Sequence, residues 1–404
     1  MSKSIVSLIP LASYDDQTAV DDAVRRALEP FGGMGAFLTK GKRVLLKPNL
    51  VVPAKTDHAI TTHPAIVRAV IRLINECGGS IDIGDGPGVS NATAVCKACG
   101  IMDVAQEEKA TVVDFIETAE YENMENRVAK HLSLTDQIKA HDVLITLPKL
   151  KTHCLMAMTC ALKNQYGLIP GVAKSHQHFR FQDRDAFADL IIDINRTAHP
   201  ALAIVDAVIG MEGPGPSGGT PRKIGVIIVG TDLAAVDTVA ATLITLPVEQ
   251  SPILMAARRA QFGATRLEDI DIRGASIDDF IVHDYKLVKA PSNIMRILPL
   301  PQFMLRWLRH QIIPVPQIES AKCIRCGRCR KGCPARPEPA INPFATPLPT
   351  VNEKTCIRCY CCHEFCPAKA IMLKRSFLDR HFHILAITRA LHSFCGKFLE
   401  IFNR

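Results

Sequence analysis

The stretch Val143-Leu-Ile-Thr-Leu147-Pro148-Lys149-Leu-Lys151-Thr152-His153 decides the fold class. Its first five residues are apolar or β-branched without alternation, and the run ends at a proline followed by cations. A strand wet on one face alternates apolar and polar residues, whereas a continuous run suits a sheet covered on both faces. Ile224-Gly-Val-Ile-Ile-Val229 repeats the signature. Working outward, strands are predicted at 5–9, 43–46, 80–83, 111–115, 142–147, 201–205 and 223–229. Helical periodicity marks 18–28, 63–77, 185–196, 233–246 and 252–262. Strands and helices in alternation predict an α/β domain, with a mainly parallel sheet and helices on both faces.

The 404 residues, 48% of them hydrophobic, can build a large core and more than one domain. We assign 1–284 to the α/β domain. A basic, Pro-rich connector follows at 285–319, with Trp307 among Arg296, Arg306 and Arg309 and a helix expected at 303–312. Residues 320–373 form a cysteine module, and 374–404 read as a basic amphipathic helix that allows peripheral membrane contact. No run of 18 apolar residues is present, so no membrane-spanning helix is expected. The N-terminus reads as a strand rather than a signal peptide, which predicts a cytoplasmic protein. The charge of +8 comes with only 5% aromatics and no stacking platform, so no nucleic-acid partner is expected.

Fifteen cysteines in a reducing compartment stay free or bind metal. Eight fall into two copies of C-x2-C-x2-C-x3-C-P, Cys323-Ile-Arg-Cys326-Gly-Arg-Cys329-Arg-Lys-Gly-Cys333-Pro334 and Cys356-Ile-Arg-Cys359-Tyr-Cys-Cys362-His-Glu-Phe-Cys366-Pro367. Three thiolates at two-residue gaps wrap three irons of one cubane, and the fourth ligates the other cluster. This assigns Cys323, Cys326, Cys329 and Cys366 to one [4Fe–4S] cluster. Cys333, Cys356, Cys359 and Cys362 take the second, and Cys361 is left over. Zinc needs four ligands and has no use for the trailing Cys-Pro. About fifty residues here resemble the two-cluster bacterial ferredoxins. The cations Arg325, Arg328, Arg330, Lys331 and Arg358 beside the ligands favour a reduced cluster or steer an acidic donor, or are solvated surface.

In open α/β sheets, ligands bind beyond the carboxyl ends of the strands. There the sequence gathers Lys47-Pro48-Asn49, Lys149, Lys151 and His153, then Lys163-Asn164, Lys174, His176 and His178. Lys47, Asn49, Lys149, Lys163 and Asn164 are therefore candidate ligands for an anion. Lys151, His153 and His178 are candidate proton-transfer residues, histidine because it titrates near neutral pH. Gly84-Asp85-Gly86-Pro87-Gly88 offers either an anion-binding turn or a plain one. Met211-Glu-Gly-Pro-Gly-Pro-Ser-Gly-Gly219 is a shaped loop, as an active-site wall or a linker. Asp232 suits an N-cap, and Asp237 faces solvent or the pocket. Cys96-Lys-Ala-Cys99 is either a redox pair or two core thiols.

The order of Lys47-Pro-Asn, Gly84-Asp-Gly-Pro-Gly, Leu147-Pro-Lys-Leu-Lys-Thr-His, Ala161-Leu-Lys-Asn-Gln-Tyr-Gly and Met211-Glu-Gly-Pro-Gly-Pro-Ser, followed by the second cysteine motif, resembles the DUF362 family of iron–sulfur proteins. The resemblance covers most of residues 40–370. It implies an α/β domain with an appended ferredoxin-like module. The family name denotes an unknown function, so the resemblance supplies neither a substrate nor a catalytic set.

The residues themselves lead to a ferredoxin-type oxidoreductase that passes electrons to an anionic small molecule held in the α/β domain. A non-enzymatic electron carrier or redox-sensing scaffold docking a partner protein is the alternative. An electron donor or acceptor protein is expected in either case. The sequence does not say whether an additional organic cofactor takes part.

Overall fold

The computed structural model describes residues 3–171, 173–288, 304 and 311–374. The expected C-terminal helix and most of the basic connector, Trp307 included, lie outside the described residues. All seven predicted strands are present. With an eighth strand, Ile270–Gly274, that the sequence does not predict, they enter one sheet in the order Ile270–Gly274, Ser4–Pro10, Thr220–Gly230, Leu202–Glu212, Val143–Leu147, Arg43–Pro48, Ser80–Asp85 and Thr111–Asp114. The four strands from Val143–Leu147 to Thr111–Asp114 are mutually parallel. Antiparallel pairing is confined in this order to the two neighbours of Thr220–Gly230.

Period-two side-chain direction splits each strand between two cores. Val44 and Leu46 join Ile145, Leu147, Ile204 and Val229 on one face, against the helices Gln17–Leu28 and Pro64–Glu76. Leu45, Leu144, Ala203 and Ile228 point the other way, onto Arg184–Ala198, Leu233–Leu243 and Pro252–Arg259. That two-sided burial is why these strands read as unbroken apolar runs. Capping sets the helix starts: Asp183 and Asp232 each accept two backbone N–H bonds, satisfying donors that the first turn leaves free.

The cationic segment after Pro148, to which no strand is assigned from the sequence, is a strand in the structure. It spans Lys149–His153, is fully buried, and pairs with Leu202–Glu212 and with the short strand Ala157–Thr159. The 202–212 strand runs well past the predicted residue 205, and its far half provides the pairing edge for the cationic segment.

Residues 315–374 carry two small antiparallel ladders, Val315–Ile318 with Ile371–Lys374 and Ile341–Asn342 with Thr350–Val351. The sequence repeat is also a backbone repeat. Arg325 and Arg358, each just before its motif's second cysteine, have φ of 52° and 57°. Gly327 and Tyr360, just after it, have φ of 76° and 65°. Each motif then enters a one-turn helix, Arg328–Lys331 or Cys361–Glu364. The left-handed region suits Gly327 and opposes Tyr360. Tyr360 is held there by burial, and its hydroxyl donates to the Pro314 carbonyl at 3.0 Å.

Candidate functional site

Where the cysteine module meets the strand ends there is a cavity of about 620 Å³, its open mouth included. Lys151, Lys163, Lys174, His153 and His178 line it from the α/β domain, and Cys361, Glu364 and Phe365 from the module.

Lys151 is fully buried, and its ammonium donates to the Ile60 carbonyl at 2.7 Å. Burial, then the nearby Lys163 and Lys149, lower its pKa to about 7. Burial likewise lowers Lys174 to about 8, and its ammonium donates to the Gly86 carbonyl. Lys163 lies on the short helix Ala161–Asn164. Asp237 fixes the start of that helix, accepting the N–H groups of Ala161 and Leu162 at 2.7 and 3.3 Å. Asp237 is therefore buried behind the cavity, with its pKa raised to about 7 by burial. Asn164 lines the cavity and ties the helix to the sheet through Thr146 Oγ1 at 2.8 Å. Asn49 also lines it, and the Oδ1 atoms of both asparagines are buried without a hydrogen bond among the described residues.

Two expected anion ligands are elsewhere. Lys47 lies behind the wall, fully buried, 2.7 Å from Asp85 Oδ1. Burial lowers its pKa and Asp85 partly restores it. Lys149 does not line the cavity. Its ammonium is 2.8 Å from Asp206 Oδ2 and donates to the Tyr14 hydroxyl at 3.0 Å. The register explains this: Lys149 and Lys151 share a strand face, but they pair with Asp206 and Met211, five residues apart on the 202–212 strand across an irregularity in the pairing.

His153 accepts the N–H groups of Leu155 and Met156 at Nδ1, at 3.1 and 3.2 Å. Its proton therefore sits on Nε2, which is 3.0 Å from Glu364 Oε1. Burial lowers the His153 pKa to about 4 and that of His178 to about 3. Burial opposes ionisation of Glu364, but His153, Lys163 and His178 outweigh it and hold the carboxyl well below its usual range. At neutral pH the pair is a neutral imidazole and a carboxylate. His178 stacks on Phe187 with centroids 4.2 Å apart and meets the Tyr166 ring edge-on. His176 is outside the cavity, on the surface beside Arg336.

Glycines let the two parts approach. A Cβ on Gly88 would stand 2.4 Å from Phe365 Cζ, and within the module one on Gly332 would stand 2.4 Å from Phe365 Cδ2. The Gly-Pro loop docks the module: Ser217 Oγ donates to the Glu364 carbonyl at 2.8 Å, and His363 Nε2 is 2.9 Å from the Pro214 carbonyl. Gly86 uses its N–H on the Gly167 carbonyl at 3.0 Å, so this turn is spent on packing rather than left open to an anion. Cys96 and Cys99 are buried core thiols.

The motif cysteines lie close together within the module. Cys323, Cys326, Cys329 and Cys366 line one cavity. Burial raises the Cys329 thiol, and Cys366, Cys326 and Cys323 raise it further. Cys356 responds to burial and then to Cys359 and Cys333, and Cys362 to Cys359, Cys356 and Cys333 ahead of Cys329. Cys366 Sγ accepts the Ala370 N–H at 3.2 Å, and Cys333 Sγ that of Ala340 at 3.3 Å. Cys323, Cys326, Cys329 and Cys366 sharing one cavity, with backbone N–H groups aimed at the sulfurs of Cys333 and Cys366, fit thiolate ligation.

Sequence reasoning missed Glu364, Phe365 and Cys361 as wall residues. Glu364 reads only as a spacer between ligands, and nothing local shows that its helix faces the sheet.

A family model described as a domain of unknown function, DUF362, matches residues 44–242. The thylakoid-associated protein sll1697 of Synechocystis sp. is 31% identical over 307 residues, or 76% of this chain and 94% of that protein. The lactate racemase apoprotein of Thermoanaerobacterium thermosaccharolyticum is 13% identical with a TM-score of 0.35, covering 59% of this chain and 57% of that one. A Thermotoga maritima protein gives 12% and 0.33, covering 61% and 58%. The chain thus spans under two thirds of either solved structure. Among the described residues no helix is long and apolar enough to cross a membrane. With its matched domain and a relative similar over nearly its whole length, the chain belongs to the DUF362 family.

Proposed function

We propose that the protein is a cytoplasmic iron–sulfur oxidoreductase that reduces an anionic small molecule in the cavity between its two parts. One observation carries the reading: the helix Cys361–Glu364, inside the second cysteine motif, forms a wall of the same cavity that Lys151, Lys163 and Lys174 line. Cys323, Cys326, Cys329 and Cys366 would hold one [4Fe–4S] cluster, and Cys333, Cys356, Cys359 and Cys362 the other. When bound, such clusters supply one-electron transfer. The chain's own residues bind and protonate. Lys163 and Lys174 would attract a carboxylate or phosphate, and the Asn49 and Asn164 amides would orient it. Lys151, with a pKa of about 7, can give up a proton at neutral pH, which suits a general acid for a carbonyl or activated double bond. His153 positions Glu364 and keeps its own proton on Nε2.

Anaerobically purified protein is expected to hold about eight irons and eight sulfides per chain. About four irons with all eight cysteines intact would defeat the two-cluster assignment. Small carboxylates or phosphates should raise Tm by linkage, and Lys151→Met and Lys163→Met should weaken that response with iron content unchanged. Unaltered stabilisation in both variants would remove the anion site.

A further inference from the structure

No residue of the first cysteine motif lines this cavity. Cys326 is exposed, at the edge of an open groove lined by Arg328, Arg330, Lys331 and Arg336, and no carboxylate lines it. Among the described residues Arg328, Arg330 and Lys331 form no ion pair, so their charge is free to act outward. Phe344, at 54% exposure, lines the same groove, and Ile324, at 66%, lies two residues before Cys326. Apolar knobs within a charged rim are the anatomy of a docking face.

Charge decides the occupant. Residues 289–310 carry four Lys or Arg and no carboxylate, and 375–404 carry five against Asp379 and Glu400. Either segment would be repelled, as would a second copy of a chain with a net charge of +8. We infer that this groove docks a small acidic one-electron carrier protein, which exchanges electrons at the cysteine group Cys323, Cys326, Cys329 and Cys366. The inference rests on the two-cluster reading for its chemistry, though not for its charge. In each encounter the reduced carrier loses one electron and the protein gains it; no bond is made or broken there and no proton moves. Two encounters supply a two-electron reduction in the cavity.

The test uses the full chain, prepared anaerobically, with a flavodoxin as the acidic probe and basic cytochrome c as the control. Flavodoxin should bind, cytochrome c should not, and affinity should fall as salt rises from about 50 to about 200 mM, where screening shortens. The triple variant Arg328→Glu, Arg330→Glu, Lys331→Glu should raise Kd about tenfold or more, and the exposed Lys331→Glu alone should raise it less. Reduction by flavodoxin hydroquinone should slow in parallel, with reduction by dithionite unchanged. Equal flavodoxin binding by the wild type and both variants overturns the inference. So does single-stranded DNA that binds as tightly as flavodoxin with the same charge dependence. Charge-dependent flavodoxin binding to a chain shown to lack iron would uphold the docking face and remove the cluster reading instead.

Discussion

Protonation of Lys151 and Lys174 sets when the cavity is cationic. Their pKa values, about 7 and about 8, lie below the ordinary 10.5 because burial disfavours the charge. The unfolded chain therefore binds more protons between about pH 7 and 10.5, and this contribution makes stability rise with pH across that window. Anion binding runs the other way. It favours charged lysines, so affinity should fall as pH climbs through 7 to 9, and binding at pH 8 should take up protons. Calorimetry in buffers of different ionisation enthalpy reads that uptake directly; a pH-independent affinity would show that these two lysines do not hold the anion. Gly167 offers a second test at this scale. A Cβ there would lie 1.8 Å from Asp85 Oδ1 and 2.5 Å from Lys47 Nζ. Gly167→Ala should cost about 3 kcal/mol or more, because it prises apart a buried ion pair, and urea titration would measure it.

At the scale of elements, legibility followed burial. Strands covered on both faces, such as Arg43–Pro48 and Val143–Leu147, announce themselves as apolar runs. Lys149–His153 does not, because its lysines are buried by partners remote in sequence, Asp206 for Lys149 and the Ile60 carbonyl for Lys151. Tertiary pairing made a strand of a segment whose local pattern predicts none. The short helix Ala161–Asn164 was hidden for a similar reason: its cap is Asp237, 76 residues away. Asp237→Ala should strand the Ala161 and Leu162 N–H groups and cost about 1–3 kcal/mol, while loosening Lys163 and weakening the anion response. The spacing of the cysteine repeat is local, and the ligand assignment drawn from it makes a sharper test. Cys366→Ala should damage the cluster assigned to Cys323, Cys326 and Cys329, although Cys366 belongs to the second motif. Selective loss of the other cluster in electron paramagnetic resonance would refute the crossed assignment.

At the scale of the molecule, the arrangement changes what an isolated large domain should do. Read from the sequence, residues 1–284 contain every candidate anion ligand and should bind alone. In the folded chain Glu364, Phe365 and Cys361 close the cavity from the module, so the site is composite. Gly88 tests this without removing any ligand or any cation. Its missing side chain leaves the slot for the buried Phe365 ring, and a Cβ there would stand 2.4 Å from the ring. Ring and backbone cannot both yield in a close-packed interface, so Gly88→Val should push Phe365 and its helix outward. Far-UV circular dichroism and iron content should stay near wild type, because the Gly88 turn carries neither the sheet nor the cysteines. Stabilisation by small carboxylates should nevertheless fall about tenfold or more in apparent affinity, as water enters the opened wall and screens Lys151 and Lys163. Substrate reduction should fall further than binding, since the second cysteine motif would recede from the cavity. A variant that keeps its iron and binds anions like the wild type would show that the α/β domain makes the site unaided. The module would then be tethered for proximity alone.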